Sequence, residues 1–306
     1  MKALPINLSL TSHYDSGHSK KERKAGDSMT FSGFSRAKEL LLHAGPWLEK
    51  EEAKHNLPLG LLAYLAEKEN TAGQGETERP FLASNKEGTM VMIQTPPMNL
   101  IVAGKPQVAS AAAKWLEKEG YTFPGITGEN ELVNAFLKEM NAGESEVFMR
   151  QRIYRLDQVE PVPAQAGTFD LAQESDLDLI TGWVMEFHAE ALSPTTEEEA
   201  RTFAERSLSE QRIYLWKDIE GIPVSMAKRA RETRNGASVN LVFTPDKYKR
   251  KGYATSCVAA LSSLLLEEGY LFCCLYTDLD NPTSNSIYTK IGYRPVADSL
   301  DCRFRQ

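Results

Sequence analysis

The apolar positions of this chain change period several times, and each change marks an element. Leu40, Leu41, Ala44, Trp47 and Leu48 recur at three and four residues and predict a helix; Leu59, Leu61, Leu62 and Leu65 predict a second one after Pro58. Residues 81–84, 89–94 and 100–103 then read as short strands, parted by Asn85-Lys86-Glu87-Gly88 and by Pro96-Pro97. An Ala-rich helix over 108–119 stops at Gly120. Thr127 opens a further helix, with Glu129 and Glu131 well placed in its first turn, and residues 148–156 leave as a strand.

The second half starts near Gly167. Leu177, Leu179, Ile180, Trp183, Val184 and Phe187 form one helical face, and a more polar helix follows with Phe203, Ala204 and Leu208. Residues 212–218 alternate as a strand. Residues 223–233 and 237–244 flank Arg234-Asn235-Gly236, and Asn-Gly between two such runs predicts an antiparallel hairpin. A helix from Gly252 carries Ala254, Cys257, Val258, Leu261, Leu264 and Leu265 on one stripe and ends at Gly269; residues 270–277 read as a buried strand. Asn281 caps a short helix that Pro282 begins and Gly292 ends, with Asn285 and Tyr288 on one face and Ile287 and Ile291 on another.

Composition narrows the classes. A chain of 306 residues, 42% of them hydrophobic, suffices for two domains with cores. A net charge of −7 argues against general nucleic-acid binding. Neither a run of eighteen apolar residues nor an apolar signal segment occurs, and four cysteines are few for this length, so the expectation is a cytoplasmic protein with no membrane partner. Adjacent Cys273 and Cys274 in a strand point to opposite faces and the histidines are scattered, which predicts no metal site. Residues 1–29 lack periodicity and read as a disordered leader; patterned sequence begins just after Met29, a second candidate start.

Candidate chemistry concentrates between residues 239 and 269. A strand breaks at Pro245, a loop carries Lys247, Lys249, Arg250 and Lys251, and a helix starts at Gly252. The first N–H groups of a helix lack partners and carry partial positive charge, so this succession makes an anion cradle. Gly252 leaves room for a diphosphate to approach. The plainer alternative is a loop whose basic residues face water.

Lys249-Arg250-Lys251-Gly252-Tyr253-Ala254 resembles the Arg/Gln-x-x-Gly-x-Gly/Ala signature of the GNAT superfamily of N-acetyltransferases, with Lys249 in place of Arg or Gln and Arg250 where Gly is frequent. Residues 275–296, LYTDLDNPTSNSIYTKIGYRPV, resemble that family's closing strand, Asn/Tyr helix and Ile-Gly-Tyr exit. The resemblance implies an α/β (α+β) fold of two tandem GNAT-like domains, each a mixed, mostly antiparallel sheet flanked by helices. The first, over 30–156, is degenerate, since its strand-to-helix position reads Ala103-Gly104-Lys105-Pro106-Gln107; an unrelated α+β domain is the alternative. Residues 157–166, with Pro161 and Pro163, form a linker, and 167–306 form the acetyl-CoA-binding N-acetyltransferase domain.

The same resemblance implies acetyl-CoA as cofactor. Lys249, Arg250, Lys251, Gly252, Tyr253, Ala254 and Thr255 would cradle its diphosphate, backbone groups of Leu241, Val242 and Phe243 would pair with the pantetheine arm and polarise the carbonyl, and Asn285 would hold the cofactor. Tyr288 would protonate the leaving thiolate, a phenol near pKa 10 being matched to it in order of magnitude. The acceptor is then a small-molecule amine or a protein amino group. The base is unassigned: many members carry a carboxylate on the strand where this chain has Asn240, and Glu186, His188, Glu190, Asp278 and Asp280 are the substitutes. Glu197, Glu198 and Glu199 read either as a solvated first turn or as an acidic rim for a cationic amine. Competing readings are a non-catalytic acyl-CoA sensor and a scaffold with an interaction module as its first half. No P-loop, Gly-x-Ser-x-Gly or His-Glu-x-x-His pattern competes.

Overall fold

The computed structural model describes residues 29–71, 79–140 and 145–305; apart from Met29, the expected leader lies outside the described residues. The first half runs β1 (Phe31–Gly33), α1 (Ala37–Leu48), α2 (Asn56–Thr71), β2 (Phe81–Asn85), β3 (Met90–Gln94), β4 (Leu100–Gly104), α3 (Ala109–Lys118), β5 (Gly125–Glu129), α4 (Asn130–Glu139) and β6 (Ser145–Leu156). The second runs β7 (Thr168–Leu171), α5 (Leu177–Ala191), α6 (Glu197–Ser209), β8 (Ile213–Lys217), β9 (Pro223–Glu232), β10 (Gly236–Phe243), α7 (Tyr253–Glu267), β11 (Phe272–Asp278), α8 (Pro282–Ile291) and β12 (Arg294–Phe304).

All these strands join one mixed sheet, in the order β1-β2-β3-β4-β5-β12-β6-β11-β10-β9-β8-β7. In each half the first strands pair antiparallel, and the next pairing is parallel, β4 with β5 and β10 with β11. A parallel step needs a crossover, and α3 and α7 supply it. Each helix pair covers its own apolar cluster: Leu40 and Leu62 under α1 and α2, Leu116 and Phe136 under α3 and α4, Ile180 and Ala204 under α5 and α6, and Leu261 and Ile291 under α7 and α8. Among the described residues, no helix is long and apolar enough to cross a membrane.

The mixed sheet flanked by helices is the expected fold class. The local pattern did not reveal where the last strand of each half would go. β6, from the first half, lies beside β11 of the second, with Cys273 opposite Leu156. β12, from the second half, lies between β6 and β5, with Cys302 opposite Ile126. Each half therefore closes the other's sheet.

One expected element changes type for this reason. Thr127 does not open a helix: it lies in β5, pairs with Ile101 of β4 on one side and Asp301 of β12 on the other, and its hydroxyl donates to the Asp301 carboxylate at 3.2 Å. The helix begins at Asn130. A strand flanked on both sides wins over a favourable helix start, and one flank arrives from a segment more than 170 residues away. β12 itself went unread, although the alternation of Leu300, Cys302 and Phe304 carried its signal.

Helix ends follow the chemistry of their residues. The Asn281 side chain accepts from the Ser284 amide at 3.1 Å, Pro282 occupies the first turn, and Gly292 closes α8 with φ 113°. Thr196 and Glu199 form a reciprocal cap on α6, so the Glu199 carboxylate serves the helix start rather than an acidic rim.

Candidate functional site

Backbone irregularities gather at one end of β10 and β11. Their parallel ladder holds for Gly236↔Phe272, Ala237↔Cys273 and Ser238↔Cys274 and then ends, although both strands continue. On its other edge β10 slips register against β9 between Asn240 and Phe243. Leu241 there has φ 50°, a left-handed conformation that costs a non-glycine residue roughly 1–2 kcal/mol. It is held because its side chain is buried with Trp183, Met226 and Phe243 in the core beneath α5 and α6. The bulge takes Leu241 and Val242 out of both ladders, and such a bulge re-aims backbone groups beside a site.

The following loop continues the unusual backbone. Arg250 has φ 64° and Gly252 has φ 84°, and α7 begins at Tyr253. Left-handed residues just ahead of a helix start gather successive amides into a concave anion-binding nest. Tyr253, Ala254 and Thr255 form the first turn, half-buried, with Ser256 beneath them. Arg250 and Lys251 keep exposed side chains, while Lys247 and Lys251 lie 4.7 and 5.6 Å from the centroid of the Tyr248 ring.

Lys249 has a different surrounding from Arg250 and Lys251. Its ammonium donates to both Glu190 oxygens at 2.9 Å and lies 2.7 Å from Asp246, so its charge ties the loop to α5. The same bond occupies Glu190 as a base. Asp278 accepts from the Asp280 amide at 2.9 Å, and His188 faces the Ser193 carbonyl at 3.2 Å.

Asn285 and Tyr288 meet around a residue the sequence did not single out. The Asn285 amide donates to the carbonyls of Asp278 and Asn281, each at 2.8 Å, and accepts from the Tyr154 hydroxyl at 3.1 Å. Tyr154 belongs to β6, and its ring centroid lies 6.4 Å from that of Tyr288. Burial pushes the Tyr288 phenol well above its ordinary value of 10, so the group stays protonated at neutral pH; the match to a thiolate is correspondingly looser than an exposed phenol offers. Gln165 was likewise unread: its amide donates to Ser256 Oγ at 2.8 Å, and its side chain lies where a Cβ on Gly252 would fall, 2.9 Å from Nε2.

The first half also has a parallel ladder, β4 with β5, that stops after three pairs, but among the described residues it has neither the bulge nor the left-handed loop. β4 pairs with β3 without a register shift, a Cβ on Gly104 would collide with Met90 Sδ, and the passage to α3 runs through a tight turn at Pro106–Val108.

Residues 222–301, which span β9 through most of β12, match the FR47-like protein family. The fold is that of the GNAT acetyltransferases. A GNAT-family acetyltransferase from Colwellia psychrerythraea superposes over 90% of this chain and 100% of its own with TM-score 0.57 at 10% identity. A GCN5-related N-acetyltransferase from Sphaerobacter thermophilus covers 91% of this GNAT-fold chain and 96% of its own, with TM-score 0.58 at 13% identity. A tandem GNAT protein from the clavulanic acid biosynthesis pathway covers 90% and 97%, with TM-score 0.53 at 12% identity. These likenesses include both halves and extend to the fold alone. No curated protein matches the sequence.

Proposed function

We propose that this chain transfers an acetyl group from acetyl-CoA to an amine. The observation that carries the reading is the coincidence, at one end of one strand pair, of the opened β10–β11 ladder, the bulge at Leu241 and the left-handed loop before α7. A backbone cradle beside a strand gap fits a long phosphorylated arm, and bound acetyl-CoA supplies the activated thioester.

Amides of the loop from Arg250 to Ala254 and the first turn at Thr255 hold the diphosphate, helped by the exposed Arg250 and Lys251; the Lys249 amide is already bonded to the carbonyls of Pro245 and Asp246, and Lys249 contributes by fixing the loop to α5. Main-chain groups of Leu241, Val242 and Phe243 face the arm and stabilise charge on the carbonyl oxygen. Tyr288 keeps a proton available for the departing sulfur. Asn285 acts through position, bonding α8 to the end of β11 and to Tyr154. Residues 30–156 form a degenerate unit without a second cradle, 157–166 the linker, and 167–306 the acetyl-transferring unit; a reducing cytoplasmic setting suits four buried free thiols.

Calorimetric titration with acetyl-CoA, followed by thiol release with a panel of amines, tests the proposal on the wild type and Tyr288→Phe. Both should bind acetyl-CoA alike, and the variant should lose about 10²-fold in kcat, the low end of what a general acid contributes. Absence of binding overturns the proposal, and full turnover by the variant removes Tyr288 from it. Asn240, exposed on β10 where a carboxylate would serve as base, favours a second reading as an acyl-CoA sensor, which binding without thiol release would support.

A further inference from the structure

β9 carries two cations that, among the described residues, form no ion pair with a carboxylate. Lys228 is only 8% exposed, its ammonium lies 4.6 Å from the centroid of the Phe203 ring on α6, and among the described residues it has no hydrogen bond and no carboxylate partner. Arg231, half-buried on the same strand, reaches Asn56 Oδ1 at 3.3 and 3.4 Å, Ser238 Oγ at 3.4 Å and the face of Tyr276 at 5.7 Å, again with no carboxylate among the described residues. Nearby guanidinium groups are neutralised in the ordinary way: Arg206 by Glu210, and Arg212 by Glu210 and Glu232. An isolated charge taken out of water is costly, and an apolar residue of similar volume would serve stability better at 228. A lysine kept there against that cost points to an anion that arrives from outside.

The position says which anion. Lys228 stands directly opposite Asn240 in the β9–β10 ladder, and Asn240 immediately precedes the bulge at Leu241. Directly opposed residues are about 5 Å apart, so a negative group at Lys228 lies within the length of a small molecule from the bulge. α6 and α2 border the spot with the exposed rings of Phe203 and Tyr64, and the Arg206 guanidinium lies 5.5 Å from the Tyr64 centroid. α2 sits so near that a Cβ on Gly60 would fall 2.8 Å from Arg231 Cβ, so the first half completes this wall.

We propose that the acceptor is an amine that also bears an anionic group, a carboxylate or a phosphate, and that Lys228 and Arg231 receive that group while the amine points toward the Leu241 bulge; the inference rests on the acetyl-transfer reading. The acid-bearing end is bound, the ammonium gives one proton to water, and the free amine attacks the thioester carbon as the C–S bond breaks; nitrogen then gives up its second proton, which balances the one taken by the departing thiolate. Phosphate and carboxylate share this chemistry, and the acceptors used in the test separate them.

The test compares β-alanine with propylamine, and O-phosphoethanolamine with ethanolamine, at saturating acetyl-CoA, on the wild type, Lys228→Met and Lys228→Arg. At least one acid-bearing amine should exceed its counterpart without the acid group by tenfold or more in kcat/KM, mainly through KM. The pair that shows it names the anion. The preference should vanish in Lys228→Met, which orphans no partner and so should fold, and survive in part in Lys228→Arg. Equal use of the amines without an acid group by the wild type, or a preference that persists in Lys228→Met, overturns the inference and leaves acetyl transfer standing. If calorimetry shows no acetyl-CoA binding, the acetyl-transfer reading fails and this inference falls with it.

Discussion

At the residue scale, Lys228 is a buried ammonium with no ion-pair partner among the described residues. Burial first, and then the guanidinium groups of Arg206 and Arg212, push its ammonium down to about 8, with Glu210 pulling up and Arg231 pushing further down. An unfolded lysine holds its proton to about 10.5. Between those values the unfolded chain binds more protons than the folded one, so this group makes stability rise as pH climbs from about 8 to 10.5, and its cost is fully present below 8. Denaturant midpoints of wild type and Lys228→Met, compared across that window, should converge as pH rises, with the variant the more stable at pH 7. A constant difference would mean that the ammonium is compensated. No sequence pattern announces such a residue, because a lysine in an alternating strand reads as solvent-facing until α6 is placed over it.

At the element scale, α8 shows how local chemistry sets up the site. Asn281 caps it, Pro282 starts it and Gly292 closes it, and all three were readable because each acts within a turn of its own position. Asn281→Ala should lower stability by about 1 kcal/mol, the usual cost of a lost cap. It should also reduce acetyl transfer more than acetyl-CoA affinity, since the first turn of α8 orients Asn285 and, through it, Tyr154 beside Tyr288. Thermal unfolding and a kcat-against-KM comparison check both parts. The Tyr154 contact itself was not readable: β6 and α8 are separated by more than 120 residues, and nothing in residues 145–156 names β11 as their neighbour.

At the scale of the whole molecule, the exchange of β6 and β12 makes the halves interdependent. Glu52, 6% exposed at the junction before α2, accepts from the Asn235 amide at 2.7 Å and from its side chain at 2.8 Å, so the first half also grips the β9–β10 turn. Fragments 29–156 and 157–306 made separately should therefore fail to fold cooperatively, each lacking a central strand neighbour, and should regain structure when mixed. Circular dichroism and analytical ultracentrifugation of the fragments, alone and together, decide this; two independently stable fragments would contradict the interdependence.

Periods of apolar residues, caps, glycine stops, the Asn-Gly hairpin and the basic loop before α7 were all settled by the chain's local order, because each depends on residues within a few positions of one another. The neighbours of β6 and β12, the conversion of Thr127 from helix start to strand, the bulge at Leu241 and the enclosure of Lys228 were settled only by tertiary pairing. These depend on which distant segment supplies the missing hydrogen bonds or removes the water, and a strand edge carries no local mark of the partner that will fill it.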